Sequence, residues 1–124
     1  MKRNSTPSRT MPQSPRPEPR RGEIWWVRLD PSLGAEIRKT RPCLVLTNDI
    51  VNQHRRTVVV IPLSTSSSGH PPLLIPLTCQ GRAAVAVVDQ IRSVAKERLL
   101  RLIETANPRQ INAVENGIRV ILEL

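Results

Sequence analysis

At 124 residues, with Lys and Arg outnumbering Asp and Glu by 19 to 10, the chain has the length of one compact domain and a net charge of +9. A domain of this length buries roughly two-thirds of its unfolded surface, so a core needs neither disulfide nor metal, and no apolar run approaches the ~20 residues that span a bilayer. The basic balance favours polyanionic partners without choosing among DNA, RNA and acidic protein. Cys43 and Cys79, in apolar surroundings without ligand spacing, read as thiols of a reducing cytoplasm.

Residues 1–20 read as a disordered arm. Pro7, Pro12, Pro15, Pro17 and Pro19 lie among Ser, Thr and Arg, and nothing apolar repays the entropy of ordering. Residues 1–21 hold +5 of the charge and lack the apolar segment of a signal peptide, so export is not expected. The folded domain is expected over residues 21–124.

Residues 23–29 read as a strand carrying both tryptophans, and Asp30-Pro31-Ser32-Leu33-Gly34 supplies turn chemistry. A charged loop follows, Ala35-Glu36-Ile37-Arg38-Lys39-Thr40-Arg41-Pro42. Pro42 fixes its own φ and pushes Arg41 toward an extended conformation. A guanidinium on stiff backbone is a good phosphate ligand, because its fork is always charged and bonds two oxygens at once.

Residues 43–47 give a second strand, 48–56 a polar excursion, and 57–61 a buried β-branched strand whose regular pairing Pro62 ends. Residues 64–72 form a polar loop. Two further strands, 73–77 and 83–88, turn at Gln80-Gly81; Asp89-Gln90 then interrupts the apolar pattern. A short helix is expected over 95–100 and a brief strand over 103–105. The last helix is the best marked: Asn107 caps it, Pro108 suits its first position, and Ile111, Val114, Ile118 and Ile121 form its apolar stripe. Short strands with one packed helix point to a small, mostly β barrel.

His54 and His70 sit in polar loops without partners at ligand spacing, and HExxH, P-loop, GxGxxG and Gly-x-Ser-x-Gly patterns are all absent. No metal or cofactor is therefore expected. What remains are polar groups at strand ends: the loop from Glu36 to Arg41, Ser64-Thr65, and Asp89-Gln90. Each has a plain alternative as a solvated or turn-bonding side chain.

Arg21-Gly22-Glu23-Ile24-Trp25, then Gly34, Glu36 and Arg41-Pro42, then Val60-Ile61-Pro62-Leu63-Ser64-Thr65, then Asp89-Gln90-Ile91-Arg92, resembles the MazF/PemK family of toxin endoribonucleases. The likeness runs from Arg21 to the C-terminus. It implies an SH3-like β-barrel with helices, a cytoplasmic homodimer, and metal-independent, sequence-specific cleavage of single-stranded mRNA through a 2′,3′-cyclic phosphate. It also implies a cognate antitoxin that lays an acidic, disordered tail across the site, DNA being met only through that antitoxin and the membrane not at all.

Within that resemblance Arg41 stabilises the charge built on the phosphate and donates a proton to the leaving oxygen. A hydroxyl after the apolar strand bonds the scissile phosphate, and Glu36 acts as base. By spacing from Pro62 the family's catalytic threonine falls on Ser64, with Thr65 adjacent, and either hydroxyl can serve. The histidine and arginine of the PemK branch are replaced by Ala35 and Val87, so that branch's acid–base arrangement is not expected. RNA contacts are expected from Arg38, Lys39, Asp89, Gln90, Arg55, Arg56 and Trp25; neighbouring Trp25 and Trp26 face opposite sides of a strand, and packing is the competing role for both. Two other readings stay open: a CcdB-like gyrase inhibitor, which needs a C-terminal helix end that reaches its target, and an RNA-binding module without catalysis.

Overall fold

The computed structural model describes residues 18–29, 34, 39–65 and 69–124. Of the expected arm over residues 1–20, residues 1–17 lie outside the described residues, as do Glu36 and Arg38; residues 18–20 are not disordered as expected, since Pro19 is buried and Glu18 pairs with Lys96. The elements run β1 (Glu23–Arg28), β2 (Thr40–Val45), α1 (Asp49–His54), β3 (Thr57–Ser64), β4 (Leu74–Cys79), β5 (Arg82–Val87), β6 (Arg92–Ala95), β7 (Leu99–Thr105) and α2 (Pro108–Leu122). The strands form one curled antiparallel sheet in the order β4-β5-β3-β2-β1-β7, with β6 also paired to β3. Its two ends approach each other: the Gln80 amide donates to the Glu104 carboxylate at 3.0 Å, and Gln110 of α2 donates to Thr78 Oγ1 at 3.1 Å.

Each sheet face buries its own core. Ile24, Leu44, Ile61, Leu63, Ile75, Leu77, Cys79 and Ala84 pack under Val114 of α2 on one face. Trp25, Val27, Cys43, Val45, Val58, Val60, Val94 and Leu99 close the other. The alternation in β1, β2 and β3 divides neighbours between the two clusters, as a period of two requires. Arg21 ties the start of β1 to both helices: its guanidinium bonds the Glu115 carboxylate and the Leu46 carbonyl, and its amide donates to Asp49 at 2.7 Å. That last bond holds the Asp49 carboxyl below its usual range.

The helix α2 follows its sequence signals, with Asn107 accepting from the Gln110 amide and Pro108 at the first position. Ile118 and Ile121 pack on the core, whereas Val120, Leu122 and Leu124 are exposed, so the C-terminal end is less buried than its apolar composition implies. Four expectations are corrected. The polar excursion holds a helix, α1, because the Asn48 side chain caps the Val51 amide at 2.9 Å; His54 therefore ends a helix. Pro62 does not end β3; it pairs with Cys43 at the point where β3 exchanges β6 for β5 as its neighbour. Residues 95–100 do not form an α-helix: the chain makes a single 3-10 turn at Lys96–Arg98 between β6 and β7. The brief strand at 103–105 is the end of β7, which starts at Leu99.

Two outcomes test this packing. A Cβ on Gly117 would lie 2.8 Å from the Pro72 carbonyl oxygen. Gly117→Ala should therefore destabilise the fold, although the same change in an open helix stabilises by about 1 kcal/mol; a raised urea midpoint would refute this packing. Burial pushes the Cys43 thiol up to about 12, and burial with the nearby Glu104 carboxylate raises Cys79. An aromatic disulfide reagent at pH 8 should label Cys79 slowly and Cys43 only on unfolding, because the thiolate is the reacting form. Rapid labelling of two thiols in the native protein would contradict both burials.

Candidate active site

The ladder between β2 and β3 pairs only Val45, Leu44 and Cys43 with Val60, Ile61 and Pro62. Beyond the Cys43–Pro62 pair, β3 takes β5 as its partner, through Leu63–Ala86 and Ser64–Val85. A cleft of about 330 Å³ opens at this end of the sheet. Thr40, Arg41 and Pro42 line it from β2, Leu63 and Thr65 from the end of β3, Trp26 from β1, and Cys79, Gln80, Arg82 and Ala84 from the β4–β5 hairpin. Leu63, Cys79 and Ala84 also belong to the core under α2, so the cleft is the uncovered end of that core.

Local chemistry positions each wall. Gln80 and Gly81 both have positive φ (55° and 75°), the conformation of a two-residue hairpin turn, and this sets Arg82 opposite Cys79. The Leu29 amide donates to the Lys39 carbonyl at 2.9 Å and closes the base of the β1–β2 loop immediately before Arg41. Lys39 holds φ 69°, a left-handed position uncommon for a lysine. Arg41 lies inside β2, opposite Val27 of β1, rather than in a loop before the strand.

Extending the β2–β3 register beyond Cys43–Pro62 sets Arg41 against Ser64 after two residues and Thr40 against Thr65 after three. Alternation then gives Arg41 and Ser64 to the face of the second cluster, and Thr40 and Thr65 to the cleft face. Arg41 lines the cleft as well, so its guanidinium serves the edge between the two faces. Ser64 is half-buried and Thr65 exposed. Neither Arg41 nor Arg82 has an ion-pair partner among the described residues, where the ion pairs are Arg21–Glu115 and Lys96–Glu18. Two unneutralised guanidiniums and two hydroxyls at one apolar-walled cleft suit a phosphodiester, whose non-bridging oxygens accept from both kinds of donor.

The other expected RNA contacts fall elsewhere. Trp25 is 3 % exposed in the second cluster, with its indole N–H donated to Glu23 at 2.9 Å, so it has no ring face for a base; Trp26 is the tryptophan that lines the cleft. Arg55 and Arg56 precede β3, and the cleft lies at the other end of that strand, about 23 Å away at the usual rise. Asp89 and Gln90 form a 3-10 turn after β5, at the opposite end of that strand from Arg82, and Asp89 sits beside Ile118, Ile121 and Leu122 of α2. Lys39 is exposed next to Thr40, at the rim. Arg82 and Trp26 were not expected at the site. The positive-φ signal of Gln80-Gly81 marks the hairpin that carries Arg82, but nothing in its sequence says what that hairpin leans against.

Residues 20–122 match the family described as the PemK-like, MazF-like toxin of type II toxin–antitoxin systems. The chain is 34 % identical over 114 residues to endoribonuclease MazF9 of Mycobacterium tuberculosis, covering 85 % of this chain and 97 % of that protein. It is 30 % identical over 105 residues to the endoribonuclease toxin MazF of Escherichia coli K12, covering 84 % and 94 %. Among solved structures, MazF of Deinococcus radiodurans superposes with a TM-score of 0.79 at 22 % identity, covering 88 % of this chain and all (100 %) of that one. A mycobacterial endoribonuclease in complex with its cognate antitoxin superposes with a TM-score of 0.72 at 20 % identity, covering 86 % and 96 %. The curled sheet with its C-terminal helix is the fold of these toxins, and the chain belongs to the PemK-like, MazF-like family of type II toxins.

Proposed function

We propose that the chain is a toxin endoribonuclease that cleaves single-stranded mRNA without a metal, with its chemistry at the cleft edge where Arg41 meets Ser64 and Thr65. The observation that carries this reading is the convergence of Arg41, Thr65 and Arg82 on one cleft, with Ser64 across from Arg41 when the Cys43–Pro62 register is extended. The RNA supplies its own nucleophile: the 2′-oxygen bonds to phosphorus, the P–O5′ bond breaks, and a 2′,3′-cyclic phosphate and a 5′-hydroxyl result. The 2′-hydroxyl proton passes to a base, the role we assign to Glu36, and the leaving 5′-oxygen takes its proton from the Arg41 guanidinium. Arg41 neutralises the charge that builds on the non-bridging oxygens, a form of stabilisation that is large in a water-poor site. Ser64 bonds the same phosphate, and Thr65 and Arg82 hold the neighbouring nucleotide.

The net charge of +9 and the cleft guanidiniums, unpaired among the described residues, attract an acidic segment as well as RNA. This supports restraint by an antitoxin with an acidic tail; the cytoplasmic homodimer of the resemblance belongs to the same proposal. Among the described residues no helix is long and apolar enough to cross a membrane.

Purified protein in EDTA should cut a long unstructured RNA and leave cyclic-phosphate ends. Arg41→Ala should lower kcat by about 10²–10³, the range for loss of one charge-stabilising donor, and Arg41→Lys should recover only part, because the planar fork is lost. Ser64→Ala should act on kcat, whereas Thr65→Ala and Arg82→Ala should act mainly on KM. Intact RNA across varied sequences, or cleavage indifferent to Arg41→Ala, would overturn the reading. Loss of kcat in Thr65→Ala with Ser64→Ala unaffected would reverse the hydroxyl assignment. A supercoiling assay covers the gyrase-inhibitor alternative, which requires inhibition without RNA cleavage.

A further inference from the structure

The cleft is continuous with a basic face made by β1 and β7. Alternation places Trp26 and Arg28 on the same side of β1, and Arg101 of β7 stands opposite Trp26. Its guanidinium lies 5.9 Å from the centroid of the Trp26 ring, within reach of a cation–π contact. The β1–β7 ladder shifts register on both sides of this pair, between Ile24 and Trp25 and between Trp26 and Val27. Such irregularities re-aim side chains next to functional sites. Arg98 donates to the Arg28 carbonyl at 3.0 Å and brings its charge to the same edge.

The acidic groups nearby are few. Glu97 is in the turn before β7, and Glu104 is farther along that strand, where its carboxylate accepts from the Gln80 amide. Neither forms an ion pair with Arg28 or Arg101 among the described residues. From Pro42 across Trp26 to Arg101 is two strand spacings, roughly 10 Å. A single strand held at Arg41 reaches this face by extending a short way along its own backbone.

We propose that Arg101, stacked on Trp26 and extended by Arg28, is a second RNA-backbone site that holds the strand flanking the cleaved bond. The indole fixes the guanidinium in orientation, so less freedom is lost when a phosphate binds. The function of this face rests on the endoribonuclease reading, but its affinity for RNA is measurable without cleavage.

The test uses fluorescent single-stranded RNAs of about 6 and about 25 nucleotides containing one cleavage sequence, made uncleavable by a 2′-deoxy sugar at the cut. The full-length protein should bind the longer RNA more tightly. Arg101→Glu and Arg28→Glu, both at exposed positions, should each remove about tenfold of the longer RNA's affinity and leave the shorter unchanged. The slope of log affinity against log salt should fall by about one. Arg101→Lys should recover part of the loss. On cleavable RNA the two Glu variants should raise KM for the long substrate with kcat intact. Equal binding of the long RNA by wild type and both variants would overturn the inference, as would equal losses on the two lengths. It also fails if the variants weaken only a poly-aspartate peptide. Length-dependent binding lost in the variants, in a protein that leaves the all-ribose versions of both RNAs intact, would uphold this site and sink the endoribonuclease reading instead.

Discussion

The change of partner along β3 is the constraint on which the site depends. The strand holds β2 through three residue pairs and then hands its far edge from β6 to β5 around Pro62. Had the β2–β3 ladder continued, Arg41 and Ser64 would be locked in a closed sheet, and Thr40 and Thr65 behind them. Where it stops, backbone and side chains at the two strand ends are released to a ligand. The apolar walls Leu63, Cys79 and Ala84 are anchored in the core under α2, so the cleft is open yet rigidly floored.

Rigidity at this edge has several sources that reinforce each other. The Leu29–Lys39 hydrogen bond closes the loop base, the Gln80–Glu104 bond ties the hairpin tip to β7, and Arg21 clamps the start of β1 to α1 and α2. A site that stabilises charge needs its donors fixed before the charge appears, because reorienting them later would cost what they contribute. In the proposed reaction Arg41 meets that need through its place inside a strand, whereas Arg101, held on an indole ring, serves the binding of the flanking strand.

Much of this was legible in the sequence, and the failures have physical causes. The α2 helix was readable because its cap, its proline and its apolar stripe are local signals that agree with its packing. The strand-end polar groups Arg41, Ser64 and Thr65 are readable as a set only through a family resemblance, and of them Arg41 and Thr65 line the cleft. The α1 helix was missed because six residues hold too little periodicity to outweigh their polar composition. Pro62 was read as a terminator because a single strand does not show where its neighbours change. Trp25 and Trp26 could be assigned to opposite faces, but which face is open depends on how far α2 extends over the sheet. Arg82, Arg101 and Arg28 look like ordinary surface charges until the sheet curls and sets their strands beside Trp26.

The central claim is the position of the scissile phosphate. A crystal structure with an RNA carrying a 2′-deoxy sugar at the cut, its sequence taken from mapped 5′ ends, tests that position directly. That phosphate should lie within hydrogen-bond distance of the Arg41 guanidinium and Ser64 Oγ, with the flanking strand running over Trp26 toward Arg101. A phosphate bound at Asp89-Gln90, or at Arg55-Arg56, with Arg41 facing solvent, would contradict it.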